Sequence, residues 1–230
     1  MQFVTLNTIT TDLLNIIRGS DISNSEAISK RQVEEWVHQY RALLLKQDLD
    51  KGKKPNPDYI QEIGNLALTA TELTGDDITS LGVESGLYIY KTTLELPKTL
   101  DLNFTSGFTY IGTPLGYEIQ LVPEGRTRWQ KYKKYTTKMR MAFLRNGHIY
   151  IINSEALQFI NVRGVFEIPP ELGRFVNPIT DQPYFNLDSK YPMPANMVPV
   201  LKKMILEQEL KITVGTESDT SNDARHNPEA

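Results

Sequence analysis

One stretch near the N-terminus has the spacing of a long amphipathic helix, and it constrains the fold more than any other feature of the sequence. Ser29 is followed three residues later by Gln32, which is the pattern of a capping box. Beyond this pair, mostly apolar side chains recur at i, i+3, i+4 and i+7, on one helical face. They are Val33, Trp36, Val37, Tyr40, Leu43, Leu44 and Gln47. The spacing predicts a helix over residues 29–47 whose apolar face must be buried against the rest of the chain.

The rest of residues 1–65 also favours helices. Thr10 or Thr11 is a candidate cap for a short helix that Gly19 ends. Pro57 suits the first position of another short helix, which we expect to run to about Leu66. Residues 1–65 are therefore predicted to form a helical region.

From about residue 66 to residue 170 the pattern changes to short strands separated by Gly, Asp and Pro. The runs are Leu66–Leu68, Leu87–Tyr90, Tyr117–Leu121, Met139–Leu144, His148–Ile152 and Leu157–Phe166. Asn146 and Gly147 separate two of them, and Asn-Gly is the strongest short-range signal for a β-hairpin. We predict an α+β fold whose centre is a small, mostly antiparallel sheet with this hairpin.

The C-terminal part divides into three segments. Residues 171–196 are rich in proline and are predicted to be an extended arm that packs along its own subunit or a neighbour. Residues 197–212 are predicted to be a helix, with Asn196 as its cap and Pro199 in its first turn. Residues 213–230 are polar and acidic, so we expect a tail that is either idle or ordered only on a partner. The chain thus reads as a single integrated domain plus a tail.

No motif of catalysis, metal binding or cofactor binding is present. The chain has no cysteine, which excludes thiol catalysis and disulfides. Its histidines, His38, His148 and His226, lack the spacing of a helical metal site and are interpreted as surface or edge residues. The GxSxG elbow and both glycine-rich phosphate loops are also absent. We therefore predict a protein that is not an enzyme and that uses no cofactor.

The N-terminus does not have a basic region followed by an apolar one, so no signal peptide is predicted. No apolar run reaches the roughly 18 residues that a membrane span needs. We expect synthesis in a reducing cytoplasm and no membrane partner.

The stretch from Arg126 to Arg140 contains seven basic residues and no acidic one, although the net charge of the chain is -3. Trp129, Tyr132 and Tyr135 are interleaved at helical spacing, which predicts a basic helix near residues 126–138 with a buried aromatic face. The candidate contact residues are Arg126, Arg128, Lys131, Lys134 and Lys138. They are suited either to DNA phosphates or to carboxylates of a neighbouring subunit.

The order of these features resembles the ring (adaptor) proteins at the head–tail joint of tailed phages, especially those of crAss-like phages of gut Bacteroidales. Three stretches carry the resemblance, namely residues 28–44, residues 126–136, and the helix Ile205–Leu210 with the tail residues Ser221–Ala224. The resemblance implies a mixed helical and β protomer that forms a dodecameric ring around the DNA channel of the virion. The implied partners are the portal protein, a tail or second ring protein, and genomic DNA. It transfers no functional residues.

Two other functions remain open on the residues alone. One is a nucleic-acid-binding module that uses residues 126–140. The other is an enzyme, such as a carboxylate-based hydrolase, whose site no motif reveals.

Overall fold

Three helices cover one side of a curled sheet. The structure is a computed structural model, and it describes residues 4–19, 28–52, 55–72, 74–81, 88–103, 106–129, 139–153 and 157–210. The helices within these ranges are α1 Leu6–Gly19, α2 Lys30–Leu49, α3 Gly75–Leu81, α4 Glu124–Thr127 and α5 Val198–Gln208. Of these, α1, α2 and α5 pack against one another. The predicted C-terminal tail lies outside the described residues.

Helix α2 confirms the capping signal in the sequence. The Ser29 hydroxyl accepts a hydrogen bond of 3.2 Å from the backbone N–H of Gln32. The buried positions of α2 follow one stripe at i, i+4 spacing, and they include one charged residue: Val33, Val37, Arg41, Leu45 and Leu49, with Ala42 beside them. The predicted apolar face is wrong at Leu43, which is exposed. The stripe turns slightly around the helix because α1 and α5 cover α2 from one side.

Helix α1 begins earlier than predicted. The Thr5 hydroxyl accepts a hydrogen bond from the Thr8 backbone N–H at 3.1 Å, so Thr5 caps the first turn of α1. Thr10, the predicted cap, is instead buried inside the helix, and its hydroxyl donates to the Leu6 carbonyl at 2.8 Å. The predicted end at Gly19 agrees with the structure.

The main sheet of the described residues has seven strands and is larger than predicted. The strands are β1 Gln61–Glu72, β2 Tyr88–Thr92, β3 Phe108–Gly112, β4 Gln120–Leu121, β5 Met141–Arg145, β6 His148–Ile152 and β7 Phe159–Gly164. Their spatial order is β3-β7-β1-β2-β6-β5-β4. Neighbouring strands are antiparallel except β4 and β5, which are parallel.

The short helix predicted after Pro57 is wrong. Residues Pro57–Tyr59 form only a 3-10 turn, and β1 begins two residues later. Pairing of β1 with β7 decides this, because residues 61–63 bond in register with residues 162–164. The pairing shifts between Ile63 and Leu66, where Asn65 has a positive φ of 51°. Non-local pairing therefore overrides the local helix signal.

The two edge strands of the main sheet meet at a tight turn. The backbone N–H of Thr113 donates to the Tyr117 carbonyl at 2.8 Å, and that of Ile119 donates to the Ile111 carbonyl at 2.7 Å. A bridge between Gly112 and Glu118 completes this link between β3 and the segment that enters β4. The sheet therefore curls until its edges join, which removes most of the open edge that invites unwanted pairing.

The proline-rich segment packs on its own subunit. It contains a 3-10 helix, Pro169–Arg174, and a separate two-stranded sheet of β8 Val176–Asn177 and β9 Gln182–Pro183. Further along, Tyr191 and Met193 are buried in the main core, and the Tyr191 backbone N–H donates to the Val4 carbonyl at 2.9 Å. The segment therefore packs along its own subunit through a few buried side chains, while much of its length stays exposed.

One apolar cluster joins the helical layer to the sheet. It holds residues of α1, α2 and α5 together with side chains from β1, β3, β5, β6 and β7. A smaller cluster under the end of α2 contains Leu45, Leu49 and Tyr59, and a third contains Leu81 of α3 and Phe143 of β5. This continuous burial fixes the helices over the sheet.

Asn146 and Gly147 form the turn between β5 and β6, and Arg145 pairs with His148 across it. Asn146 has a φ of 50° and Gly147 a φ of 73°, both positive. We expect Gly147→Ala to lower the free energy of unfolding by about 1–2 kcal/mol, because a non-glycine residue is strained in this region. Its Cβ would also lie 2.6 Å from Glu95 Cγ. The matched control is Gly125→Ala in α4, where a Cβ meets nothing within 4 Å. Equal stabilities of the two variants in chemical denaturation would contradict this expectation.

Candidate interaction surfaces

The predicted basic contact residues begin in α4. Arg126 and Arg128 are both exposed, and the Arg128 guanidinium lies 5.1 Å from the centre of the Trp129 ring. Lys131, Lys134 and Lys138 lie outside the described residues. The structure thus places two of the five candidate residues, adjacent to each other on the surface.

The predicted burial of the aromatic face is wrong at Trp129, which is 55 % exposed. Helix α4 ends at Thr127, and it is Thr127 that turns inward. The Thr127 hydroxyl donates to the Glu124 carbonyl at 2.7 Å, which satisfies its buried oxygen. Because the helix stops there, Trp129 does not continue the buried face that helical spacing predicts.

An ion pair holds α4 to the sheet. Glu124 Oε1 accepts from Arg145 Nε at 3.1 Å and also pairs with the second guanidinium nitrogen. The Arg145 guanidinium lies over the rings of Phe143 and Tyr150, at 5.7 and 5.8 Å. Arg126 and Arg128 are therefore presented from a turn with a defined position next to β5.

The structure contains a buried cation that the sequence analysis did not identify as a site. Arg41 is fully buried; its Nε donates to the Pro192 carbonyl at 2.9 Å and its Nη1 to the Phe166 carbonyl at 2.8 Å. The guanidinium lies 5.6 Å from the centre of the Tyr191 ring, and its Nη2 has no hydrogen-bond partner among the described residues. Burial lowers the pKa of this guanidinium, and the neighbouring Tyr191 opposes that shift.

A signal for this arrangement was present in the sequence. Arg41 stands four residues after Val37 and eight after Val33, at an apolar position of the α2 stripe. A lone arginine at an apolar position has two explanations. Either it fixes how the helix packs against other segments, or the buried face of the helix was assigned wrongly. The structure supports the first explanation, since the Arg41 guanidinium donates to carbonyls on two other segments.

His38 belongs to the same group, and it is half-buried instead of lying fully on the surface. Its Nδ1 lies 2.9 Å from the Tyr191 hydroxyl. Burial, followed by the charge of Arg41, lowers the pKa of His38 to about 4. Burial likewise raises the pKa of Tyr191, so the hydroxyl stays protonated.

His148 has a structural hydrogen bond within the sheet. His148 begins the interior strand β6, where its Nδ1 donates to the Thr92 carbonyl at 2.8 Å. His226 lies outside the described residues. Within the described residues, no group of three or more His, Asp or Glu side chains is placed to hold a metal ion.

Two turns expose large aliphatic side chains that the sequence analysis did not single out. Leu115, between β3 and β4, is 85 % exposed, and Ile179, between β8 and β9, is 84 % exposed. Tyr117, two residues after Leu115, and Met139 are also more than half exposed, and both line one groove. These side chains are accessible for contact with another protein.

The comparisons with known proteins identify a family. The model of a crAss ring protein family, described as phage tail ring protein 2, matches residues 8–228. No curated protein matches the sequence. Among the helices in the described part of the chain, none has the length and apolar character to cross a membrane.

We expect Arg41→Ala to lower the free energy of unfolding by about 3 kcal/mol. Two buried carbonyls lose their donors and a cavity opens, and relief of the buried charge offsets only part of this. Arg31→Ala on the same helix is the control, because its 3.5 Å ion pair with Glu35 is exposed and is expected to contribute less than about 0.5 kcal/mol. Chemical denaturation of both variants measures the difference, and similar losses would contradict the role assigned to Arg41.

The depressed pKa of His38 predicts a pH dependence of stability. The unfolded chain binds a proton near pH 6.5, whereas the folded chain does so only near pH 4. The free energy of unfolding should therefore fall as the pH drops through this window, and this contribution should be constant above about pH 7.

His38→Gln should remove that contribution. Between pH 7 and pH 4.5 the variant should lose about 2 kcal/mol less than the native protein, since each pKa unit corresponds to about 1.4 kcal/mol. Thermal or chemical unfolding across this range measures it. Parallel pH profiles for the two proteins would show that His38 titrates normally in the folded state.

Proposed function

The chain belongs to the phage tail ring protein 2 family, and from this membership we propose that it forms the ring that links the portal to the tail at the head–tail joint. Members of this family are structural ring proteins of the virion, so the protein assembles with copies of itself and with other virion components. The main support for this proposal is the extent of the match. It covers residues 8–228, which include all the helices and strands named above except the first two residues of α1.

The proposed ring is dodecameric and surrounds the DNA channel. A closed ring of identical subunits needs two different surfaces on each subunit, because every copy contacts one neighbour on each side. The exposed turns at Leu115 and Ile179 supply apolar side chains for such contacts. The portal protein and a tail or second ring protein are the proposed axial partners, after synthesis in the host cytoplasm.

We place Arg126 and Arg128 in contact with channel DNA or with carboxylates of a neighbour. Both side chains are exposed and belong to a turn that Glu124 and Arg145 hold in place. A net charge of -3 keeps the whole surface from attracting phosphate strongly, which suits a channel through which DNA must slide. The alternative, a separate nucleic-acid-binding module, draws on the same two arginines and the exposed ring of Trp129.

Electron cryomicroscopy of purified phage particles tests this proposal. We expect twelve copies of the chain in one ring between portal and tail, with α4 facing either the lumen or the subunit boundary. Phage preparations made without the protein should contain heads, filled or empty, that lack attached tails. If the protein is absent from purified particles, or lies in the tail away from the portal, the proposed position is wrong. A protein that is absent from particles but binds DNA in a salt-dependent way would favour the separate binding module.

A further inference from the structure

The β8–β9 hairpin projects an apolar residue away from the core. Ile179, at its tip, is 84 % exposed, Val176 at its base is 50 % exposed, and residues 178–183 are all exposed. The two strands form a sheet of their own and add nothing to the main sheet. Burial of an isoleucine side chain contributes about 1.5–3 kcal/mol, so a partner that covers Ile179 gains up to this free energy.

The tip is held in one conformation. The Asn177 side-chain oxygen accepts from the Ile179 backbone N–H at 2.9 Å, and the Asn177 carbonyl accepts from the Asp181 N–H at 2.8 Å. Asp181 adopts a positive φ of 54°, an unusual conformation for a residue other than glycine. Because the turn is already ordered, a partner that binds Ile179 incurs little entropic cost for fixing it.

The base of the hairpin is fastened to the core. The Tyr184 backbone N–H donates to the Phe175 carbonyl at 3.0 Å, and the side chains of Phe175 and Phe185 are buried in the main cluster. The Tyr184 hydroxyl donates to the Gly64 carbonyl at 3.0 Å, at the irregularity in β1. The hairpin is therefore a fixed projection of the subunit and not a swinging loop.

A groove elsewhere on the same chain has the size and lining to receive such a tip. Its volume is about 710 Å³, and it is lined by Thr113, Tyr117, Glu118, Ile119, Met139, Arg140 and Asn153. Tyr117 and Met139 are the large, exposed side chains of this lining. An aromatic ring and a flexible thioether are side chains that adapt to an inserted aliphatic group.

The groove and the 3-10 helix that precedes the hairpin lie at opposite ends of β3 and β5. The groove lies at Thr113, after the end of β3, and at Arg140, before the start of β5. The 3-10 helix that leads into the hairpin instead lines a second cavity with Phe108, at the start of β3, and Gly147, beyond the end of β5. Strands of five residues separate the two ends by about 17 Å. Among the described residues, none from the hairpin lines the groove of its own copy, so the groove is open to the hairpin of another copy.

From this arrangement we infer that the β8–β9 hairpin inserts Ile179 into the Tyr117–Met139 groove of the next copy in the ring. The inference rests on the proposed ring and names the surfaces that close it. Such a contact joins two different patches, which is the kind of interface that generates rings. One hairpin buries less than the roughly 1,200 Å² of a stable interface, so it is one contact within a larger boundary.

Charge favours one orientation of the inserted hairpin. Asp181 is exposed at the tip, and Arg140 is exposed in the groove. Glu118 lines the same groove and would repel Asp181, so the two acidic groups must lie at different ends of it. Such complementarity fixes the register of a contact more than it adds affinity.

The absence of cysteine in all 230 residues makes the contact directly testable. Ile179→Cys and Met139→Cys are combined in one chain, which is produced in infected cells so that rings assemble in particles. A short bismaleimide cross-linker is then applied to purified particles. We expect a ladder of covalent oligomers on a denaturing gel, and only monomers from each single variant. Both sites are exposed, and unchanged thermal unfolding of the variants confirms that they fold.

The control pair is Ile179→Cys with Leu144→Cys. Leu144 is also exposed but lies toward the other end of β5, where it lines a cavity with Glu171 and Arg174 of the 3-10 helix. This pair should give no ladder. Particles that contain a complete ring but give no ladder with the Ile179–Met139 pair would overturn the inference and leave the proposed function intact. Equal ladders from both pairs would also overturn it, and absence of the protein from particles would overturn the proposed function as well.

Discussion

The buried guanidinium of Arg41 is the interaction on which the rest of the structure depends. It lies inside α2, and its donors reach the chain after β7, at Phe166, and the chain before α5, at Pro192. No carboxylate among the described residues pairs with it. A desolvated cation held by carbonyl dipoles and the Tyr191 ring tolerates little displacement, because any lost hydrogen bond leaves charge unsolvated. Arg41 therefore fixes the positions of the helical layer, the end of the sheet and the proline-rich segment relative to one another.

The contacts around Arg41 explain why the proline-rich segment is ordered. Tyr191 contacts both Arg41 and His38, and Met193 enters the main core. The chain before them is thereby fixed at its C-terminal side, while Phe175 and Phe185 fix it closer to the sheet. Between these two phenylalanines the chain turns outward as the β8–β9 hairpin, and the Tyr184 hydroxyl at its base still donates to the Gly64 carbonyl of β1. A buried charge in a helix thus positions an exposed surface on a distant segment.

Several elements were predictable because their causes are local. The Ser29 cap and the stripe of α2 depend on residues within a few positions of one another, and so does Pro199 in the first turn of α5. Asn146 and Gly147 tolerate the positive φ that a two-residue turn requires. In contrast, β3 and the first residues of β1 are strands because distant residues of β7 pair with them. Trp129 is exposed because α4 stops at Thr127, which depends on burial of the Thr127 side chain.

The candidate site divides in the same way. Composition and motif spacing alone exclude thiol chemistry and the common catalytic motifs, and they locate the basic residues from Arg126 onward, since these are properties of residue type and order. Resemblance in three stretches points to a phage ring, and the family match supports it. Burial is different, because it depends on which segments meet. Only the tertiary structure decides that Arg41 is buried, that half-buried His38 meets Tyr191, that Ile179 is exposed, and that Tyr117 and Met139 line one groove.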